Sequence, residues 1–240
     1  MKIAWFSAGV SSFIACYLAK DIDKIIYIDI EEQHEDSMRF VKDCEKLLGK
    51  KITIMQSGYR SVERVIKATG MITMIKYAPC TDWLKKRVRK EWEDKQPKDI
   101  SITYVWGYDL GEKNRANRMT LGYPDYKHEY PLIDKHMTKQ DAHGLLARLG
   151  IKRPKMYDLG YQNNNCVGCI KGKMGYWNKI RVDFPKTFVR MSKLEREIGH
   201  SIIKDVNGPI FLDELDPKRG RFEDEIQEEC GMMCQLNYDT

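Results

Sequence analysis

Short apolar runs alternate with helical segments through the first half of the sequence, and this alternation restricts the fold more than any other feature. The runs at residues 2–7, 24–30, 51–56 and 100–108 have the length and composition of buried strands. Helices are predicted from the glycine turn after the first run to residue 20, and at residues 35–48 and 82–93. Strands that alternate with helices predict an α/β fold with a doubly wound, mostly parallel sheet.

The strand pattern fades after about residue 122, and helical patterns take over. We expect helices at residues 137–149, with Thr138 as the N-cap, and at 176–180 and 184–198, followed by a charged, irregular tail. No repeat or low-complexity linker divides the chain. The sequence therefore predicts a single domain, with an α/β nucleotide-binding core at residues 1–122 and a helical, cysteine-bearing part at 123–240.

Composition and charge narrow the classes of protein and ligand. The net charge of +6 favours anionic ligands such as a nucleotide or nucleic acid. The uncharged stretch at residues 3–19 raises the alternative of an export signal, but serines interrupt it and it is short for a membrane span. Seven scattered cysteines, an odd number, are typical of a reducing compartment. We therefore expect a cytoplasmic protein with no membrane association.

The turn "SAGVSS" at residues 7–12, between the first strand and the first helix, is a candidate anion site. At the carboxyl end of a parallel strand, backbone amides and a helix N-terminus converge, and small residues allow a phosphate or sulfate to approach. The predicted contacts are Ser7, Ala8, Gly9, Ser11 and Ser12, with hydroxyl donors from the three serines. The alternative is an ordinary glycine-containing helix start. The turn matches neither a dinucleotide-binding nor a P-loop pattern.

Three further segments carry candidate ligand contacts. Asp29 and Glu32 follow the second strand, where a ribose or base is often bound, although an acidic helix start explains them equally. In "WGYDLGEKNRANRM" (106–119), a binding loop competes with a surface ion pair at i and i+3. A basic helix starts after Cys80 and is either a solvated face or a nucleic-acid contact. The candidates from the last two segments are Gly107, Tyr108, Glu112, Arg115 and Lys85.

The cysteines allow several chemistries. Cys166 and Cys169 in "NNNCVGC" have the spacing of a redox pair, half a zinc site or part of an iron–sulfur site. A cation-rich helix start would stabilise a thiolate at Cys80. Cys230 and Cys234 in "ECGMMC" could tether the tail to a metal or deliver a nucleophile.

Four segments, in the same order along the chain, resemble the sulfonucleotide reductases, which act on adenylylated sulfate (PAPS or APS) and have an adenine nucleotide α-hydrolase-like fold. "KMYDLGYQNNNCVGC" with the preceding "PLID" resembles a stretch shared by that family, and "ECGMM" is similar to its terminal Glu-Cys-Gly-Leu-His. "SAGVSS" and "GYDLGEKNRA" occupy the places of its phosphate loop and its arginine-containing segment. The branch resembled is that of short PAPS-reductase-like proteins of bacteriophages and bacteria.

This resemblance implies a function and a set of roles. Lys85 and Arg115 would hold the anionic end of the nucleotide. Cys230 would attack the sulfate sulfur as a thiolate, and a thioredoxin-type dithiol would resolve the resulting thiosulfonate to sulfite. Cys80, Cys166 and Cys169 would hold a 4Fe-4S cluster whose fourth position is filled by Cys230 or Cys234, by an external ligand, or by nothing; thiols that bind no metal are a further alternative. Zinc is the alternative metal, since four thiolates suit both.

The sequence departs from the family pattern at several positions. The loop lacks the aspartate of the related ATP pyrophosphatases, and Tyr108, Met233 and Pro79 replace a family arginine, histidine and cysteine. Two alternatives therefore stand beside reduction: iron–sulfur-dependent sulfur insertion into a nucleobase or nucleic acid, and a non-catalytic, metal-stabilised module that binds nucleotide or nucleic acid. A homodimer is one candidate assembly.

Overall fold

A five-stranded parallel sheet forms the centre of the protein in the computed structural model, which describes residues 1–72 and 78–224. Its strands are β1 (Lys2–Phe6), β2 (Lys24–Ile28), β3 (Ile52–Met55), β4 (Thr103–Val105) and β5 (Lys127–Glu129). They lie side by side in the order β3-β2-β1-β4-β5. The chain thus runs outward from β1 in one direction through β3, and then returns to place β4 on the other side of β1.

Helices cover both faces of this sheet, as in doubly wound α/β proteins. The described helices are α1 (Val10–Leu18), α2 (Asp36–Leu48), α3 (Val62–Thr69), α4 (Pro79–Thr81), α5 (Arg87–Asp94), α6 (Lys113–Gly122), α7 (Pro131–Asp134), α8 (Lys139–Arg148), α9 (Lys155–Asp158), α10 (Met174–Asp183) and α11 (Pro185–Ile198). A π-helical turn, Asp82–Lys86, joins α4 to α5, and short 3-10 turns occur at Leu110–Glu112 and Phe222–Asp224. Two short antiparallel strands, β6 (Ile203–Asp205) and β7 (Gly208–Ile210), form a separate hairpin after α11.

Alternate residues of β1 and β2 belong to two separate hydrophobic clusters, one on each face of the sheet. Ile3 and Trp5 of β1 point into the cluster that includes residues of α10 and α11, whereas Ala4 and Phe6 join the cluster formed with α1, α2 and α8. Successive side chains of a strand point to opposite faces, so both faces of a buried sheet need apolar residues. This requirement explains why the strands read as continuous apolar runs rather than as alternating ones.

The expected α/β class and the first four strands are confirmed, with shorter limits than the sequence predicted. Thr138 is the N-cap of α8, where it forms a capping box with Asp141. The fifth strand and α3 were not predicted. Residues 127–129, beyond the expected core limit at residue 122, extend the sheet, but a three-residue edge strand of sequence KHE carries no apolar pattern.

Candidate functional site

The strand order places a topological switch point between the carboxyl ends of β1 and β4. The chain leaves β1 for β2 on one side and reaches β4 on the other, so the connections after β1 and β4 diverge. Ligands of open α/β sheets bind at such a switch point. Two segments singled out in the sequence, the turn at residues 7–12 and the segment that follows Trp106, lie at the carboxyl ends of these two strands.

The turn at residues 7–12 is held by its own serines. The hydroxyl of Ser12 accepts hydrogen bonds from the Ser7 hydroxyl (2.9 Å) and the Ser7 amide (3.3 Å), and it donates to the carbonyl of Gly9 (2.9 Å). The Ser7 hydroxyl also accepts from the Gly9 amide at 3.3 Å. Ala8 has a φ of 57°, which is uncommon for a residue other than glycine. The turn therefore has a defined and partly strained shape.

The first turn of α1 has the features of an anion-receptive helix end. Gly9, the N-cap residue, has no side chain of its own to cap the first turn, and no acidic residue occurs in that turn. The first amides of a helix have no intrahelical acceptor; the Val10 amide donates to the hydroxyl of Tyr157 at 3.3 Å. Ser11, in the same turn, is buried. The helix dipole and these donors favour a negative group here.

Gly107 brings the loop after β4 against this helix end. A Cβ atom added to Gly107 would lie 2.5 Å from Cα and 2.7 Å from the amide nitrogen of Ser12. Only a residue without a side chain permits such an approach of two backbones. Of the residues that the sequence predicted as nucleotide contacts, Gly107 and Ser12 therefore meet at the switch point.

The pair Glu112 and Arg115 is more buried than a surface pair. A guanidinium nitrogen of Arg115 lies 2.7 Å from the Glu112 carboxylate, and only 3% of the Arg115 side chain is exposed. The guanidinium also lies 4.7 Å from the centre of the Tyr108 ring, which stacks against Trp106 and Tyr130. Burial raises the pKa of the Glu112 carboxyl, and the Arg115 charge opposes that rise. A solvated ion pair does not describe this arrangement.

The acidic residues after β2 have structural partners. The Asp29 carboxylate accepts a hydrogen bond from the Gln56 side chain at 2.8 Å. The buried Glu32 carboxylate accepts from the amides of Val62 (2.8 Å) and Glu63 (3.3 Å) at the start of α3. Glu32 therefore caps a helix, which is the function that the sequence did not indicate for it.

The basic helix is divided between solvent and core. Lys85 is partly buried in the π-helical turn, while Arg89 is 5% exposed and its guanidinium lies 4.5 Å from the centre of the Tyr123 ring. Arg87 and Lys90 lie within 3.1 Å and 2.8 Å of carboxylates on their own segment. The predicted helix is confirmed, but its cations do not form one continuous basic face.

The Cys166–Cys169 turn is built around the hydroxyl of Tyr176. This hydroxyl accepts hydrogen bonds from the amides of Gly168 (3.0 Å) and Cys169 (2.9 Å) and donates to the carbonyl of Cys166 (3.1 Å). Gly168 has a φ of 77°, so the tight turn expected from "VGC" is present. The Val167 amide donates to the Glu32 carbonyl at 2.7 Å, which attaches the turn to the loop that follows β2.

Both cysteines of this turn are buried, and a cavity opens beside Cys166. Cys80, at the start of α4, packs against the same hydrophobic cluster that contains Cys166 and Cys169. Within residues 1–72 and 78–224, no group of three or more His, Cys, Asp or Glu side chains is arranged to hold a metal. Cys230 and Cys234 lie outside the described residues. The cavity is lined by Met156, Tyr161, Gln162, Asn163, Asn165, Cys166, Tyr176 and Phe222.

Three residues of the site were not indicated by the sequence. Tyr157 reaches the Val10 amide, Tyr176 anchors the cysteine turn, and Asn164 contacts the turn at residues 7–12. All three come from the helical second half of the chain, and no local pattern connects them to the first strand. In the part of the chain that the structure describes, no helix is both long and apolar enough to cross a membrane.

The fold and these contacts define an α/β protein with a switch point between β1 and β4 and a buried cysteine turn beside the sheet. No family model matches the chain. It is similar to an uncharacterized protein of Methanocaldococcus jannaschii, MJ0066, with 28% identity over 202 residues, which cover 80% of this chain and 41% of that protein. The chain thus spans about two fifths of the length of this relative.

Proposed function

We propose that this protein binds an adenine nucleotide of the sulfonucleotide type at the crevice between β1 and β4 and transfers its sulfur group to a cysteine thiol. The observation that carries the nucleotide part is the contact of Gly107 with Ser12, at 2.5 Å from an added Cβ to the Ser12 Cα. This contact joins the two predicted ligand loops at one switch point. The fold proposed on this basis is the adenine nucleotide α-hydrolase-like variant of the α/β class.

The anionic end of the nucleotide would bind at the start of α1. The amides of the first turn and the hydroxyl of Ser11 are hydrogen-bond donors, and the helix dipole adds a partial positive charge. Arg115 lies in the adjacent segment but already faces Glu112 at 2.7 Å. Because that pair is close to neutral, the helix end supplies the principal attraction and Arg115 shapes the loop. Lys85 and Asp29 stay predicted contacts to the anion and the ribose.

The sulfur chemistry rests on the resemblance together with the cysteines. Attack of the Cys230 thiolate on the sulfate sulfur would form a sulfur–sulfur bond and release the nucleotide phosphate. A dithiol of the thioredoxin type would then break that bond, leaving sulfite, the free Cys230 thiol and an oxidised disulfide. Overall, the sulfonucleotide is reduced by two electrons that the dithiol supplies.

Ligand-induced stabilisation tests the nucleotide part directly. AMP, ATP, APS and PAPS are each added at about 100 times their Kd, which should stabilise the protein by about 2.7 kcal/mol. For a protein of this length, that corresponds to a rise in Tm of about 5–10 °C. Adenosine, which has no phosphate, is the matched control and should give a smaller shift. An absence of any shift with all four nucleotides would refute the nucleotide site.

Release of sulfite from PAPS or APS in the presence of a dithiol tests the reaction. Cys230→Ser should abolish release while nucleotide binding stays intact, because the hydroxyl is a far weaker nucleophile than the thiolate. Nucleotide binding without sulfite release in the wild type would favour the non-catalytic module instead.

Sulfur insertion is a second candidate; Cys166 and Cys169 belong to one large hydrophobic cluster, and Cys80 packs against it. The described residues supply the Cys166–Cys169 pair for a metal but no cluster of three ligands, so no step through a metal is derived. Anaerobic absorption near about 400 nm with acid-labile sulfide would indicate an iron–sulfur cluster, and zinc without sulfide the alternative metal. If Cys230 is the fourth ligand, Cys230→Ser should lower metal content and stability together; if it is a nucleophile, metal content should not change.

A further inference from the structure

The side chain of Asn164 lies against the turn at residues 7–12. Its amide nitrogen donates to the carbonyl of Ala8 at 2.9 Å and to the hydroxyl of Ser37 at 3.0 Å, so both of its protons are used. Its carbonyl oxygen is buried and has no hydrogen-bond partner among the residues that the structure describes. Because the Ala8 carbonyl can only accept, the atom of Asn164 that faces it must be the nitrogen.

This arrangement lowers the stability of the folded state, and packing alone does not explain why an asparagine occupies the position. A buried acceptor without a donor destabilises the folded state, and an apolar side chain of similar volume would avoid that loss. Asn164 is 5% exposed and reaches the turn from a position 156 residues along the chain from Ala8. What the amide provides at this position is a pair of donors, one of them to the Ala8 carbonyl.

The bond to Ala8 fixes the direction of the next amide. In a trans peptide, the carbonyl of Ala8 and the N–H of Gly9 point in opposite directions. With the carbonyl turned toward Asn164, the Gly9 N–H points away from Asn164, toward the Ser7 hydroxyl at 3.3 Å. Ala8 itself has a φ of 57°, a conformation that alanine alone does not favour, so the residue should relax when this bond is lost.

We infer that Asn164 is a positioning residue that keeps the turn at residues 7–12 in its anion-receptive form. Its donor holds the Ala8 carbonyl away from the crevice, so that no carbonyl oxygen of this peptide faces a phosphate or sulfate group bound at the first turn of α1. Without that donor, the Ala8–Gly9 peptide turns over and presents a carbonyl oxygen to the anion instead. Gly9, whose φ is now −95°, accepts the positive φ of the turned peptide because it has no side chain. The inference rests on the proposed anion site.

Crystal structures of Asn164→Asp and Asn164→Ala test the conformational part without any ligand. In Asn164→Asp the carboxylate repels the Ala8 carbonyl and attracts the Gly9 N–H, so the peptide should be turned over. In Asn164→Ala the left-handed φ of Ala8 should be lost. An unchanged Ala8–Gly9 peptide in the variants that fold would overturn the inference, and this outcome does not depend on whether a nucleotide binds.

Affinity for AMP tests the functional part. Asn164→Ala should weaken AMP binding at least tenfold and leave adenosine binding unchanged. Adding Ala8→Gly to that variant should recover most of the loss, because glycine adopts the left-handed φ without help. Asn163→Ala is the matched control: this buried neighbour accepts from Lys139 at 2.5 Å and should affect stability but not AMP affinity.

The outcomes separate the two proposals. A wild type that binds neither AMP nor sulfate refutes the proposed function, while the crystal structures still decide the role of Asn164. Normal AMP binding by a well-folded Asn164→Ala protein, or equal losses in the variants with and without Ala8→Gly, would overturn the positioning role.

Discussion

Replacement of Gly107 by alanine should separate the loop after β4 from the start of α1. The new Cβ would lie 2.5 Å from Cα, 2.7 Å from N and 2.9 Å from Cβ of Ser12, and two of these three atoms belong to the backbone. Carbon atoms in contact prefer about 3.5–4.0 Å, so the two segments must move apart by about 1 Å. A flexible side chain cannot absorb this displacement because the clash is mainly with the backbone.

The expected loss follows from this displacement. Overpacking of a tightly fitted site typically destabilises a protein by about 1–3 kcal/mol. With a change in Tm of about 2–4 °C per kcal/mol for a chain of this length, Gly107→Ala should unfold about 2–12 °C below the wild type. If the nucleotide bridges the two loops, a further loss of about 1.4 kcal/mol or more in binding, at least tenfold in Kd, should accompany it.

Thermal unfolding and calorimetric titration with AMP measure the two effects. Gly58→Ala is the control, because a Cβ at Gly58 meets no atom within 4 Å and its backbone does not need a positive φ. That variant should be neutral or slightly more stable. A Gly107→Ala protein with wild-type Tm and AMP affinity would show that the two loops do not touch, and the nucleotide site would lose its main support.

Three further substitutions test other parts of the structure. Tyr176→Phe leaves the amides of the cysteine turn without their acceptor and should lower the free energy of unfolding by about 1–3 kcal/mol in denaturant titrations. An unchanged unfolding midpoint would show that the Tyr176 hydroxyl does not anchor the cysteine turn. The Glu195 carboxylate accepts from the backbone amides of Ile202 and Leu212, and burial raises its pKa to about 7. The protonated carboxyl of Glu195 therefore stabilises the fold fully below about pH 4.5, and this stabilisation is lost as the pH rises through 7. The wild type should lose stability over this pH range relative to Glu195→Gln. Parallel pH profiles of the two proteins would contradict this assignment. Thr138→Ala removes the N-cap of α8 and should reduce stability by about 1 kcal/mol in the same titrations, whereas an effect near zero would show that the cap contributes little.

Local sequence patterns predicted the elements that are long and apolar. The runs that became β1 and β2 and the amphipathic α2 and α11 are apolar enough to identify from the sequence alone. The strand β5 and the hairpin β6–β7 were not predicted because each strand has three residues and little apolar content. Strand β5 forms because β4, an earlier strand of the sheet, offers it hydrogen bonds, whereas β6 and β7 pair with each other across a short turn.

The sequence by itself determined which turn follows the first strand, that small residues and serines occupy it, and that two cysteines share a glycine-containing turn. Only the tertiary structure decided which side chains meet these turns. Gly107 approaches Ser12, Asn164 reaches Ala8 and Tyr176 encloses the cysteine turn through contacts between residues 7 to 156 positions apart. The first kind of information is local because turns and strands depend on the conformational preferences of adjacent residues. The second depends on the order in which the strands assemble into the sheet, and no short stretch of sequence records that order.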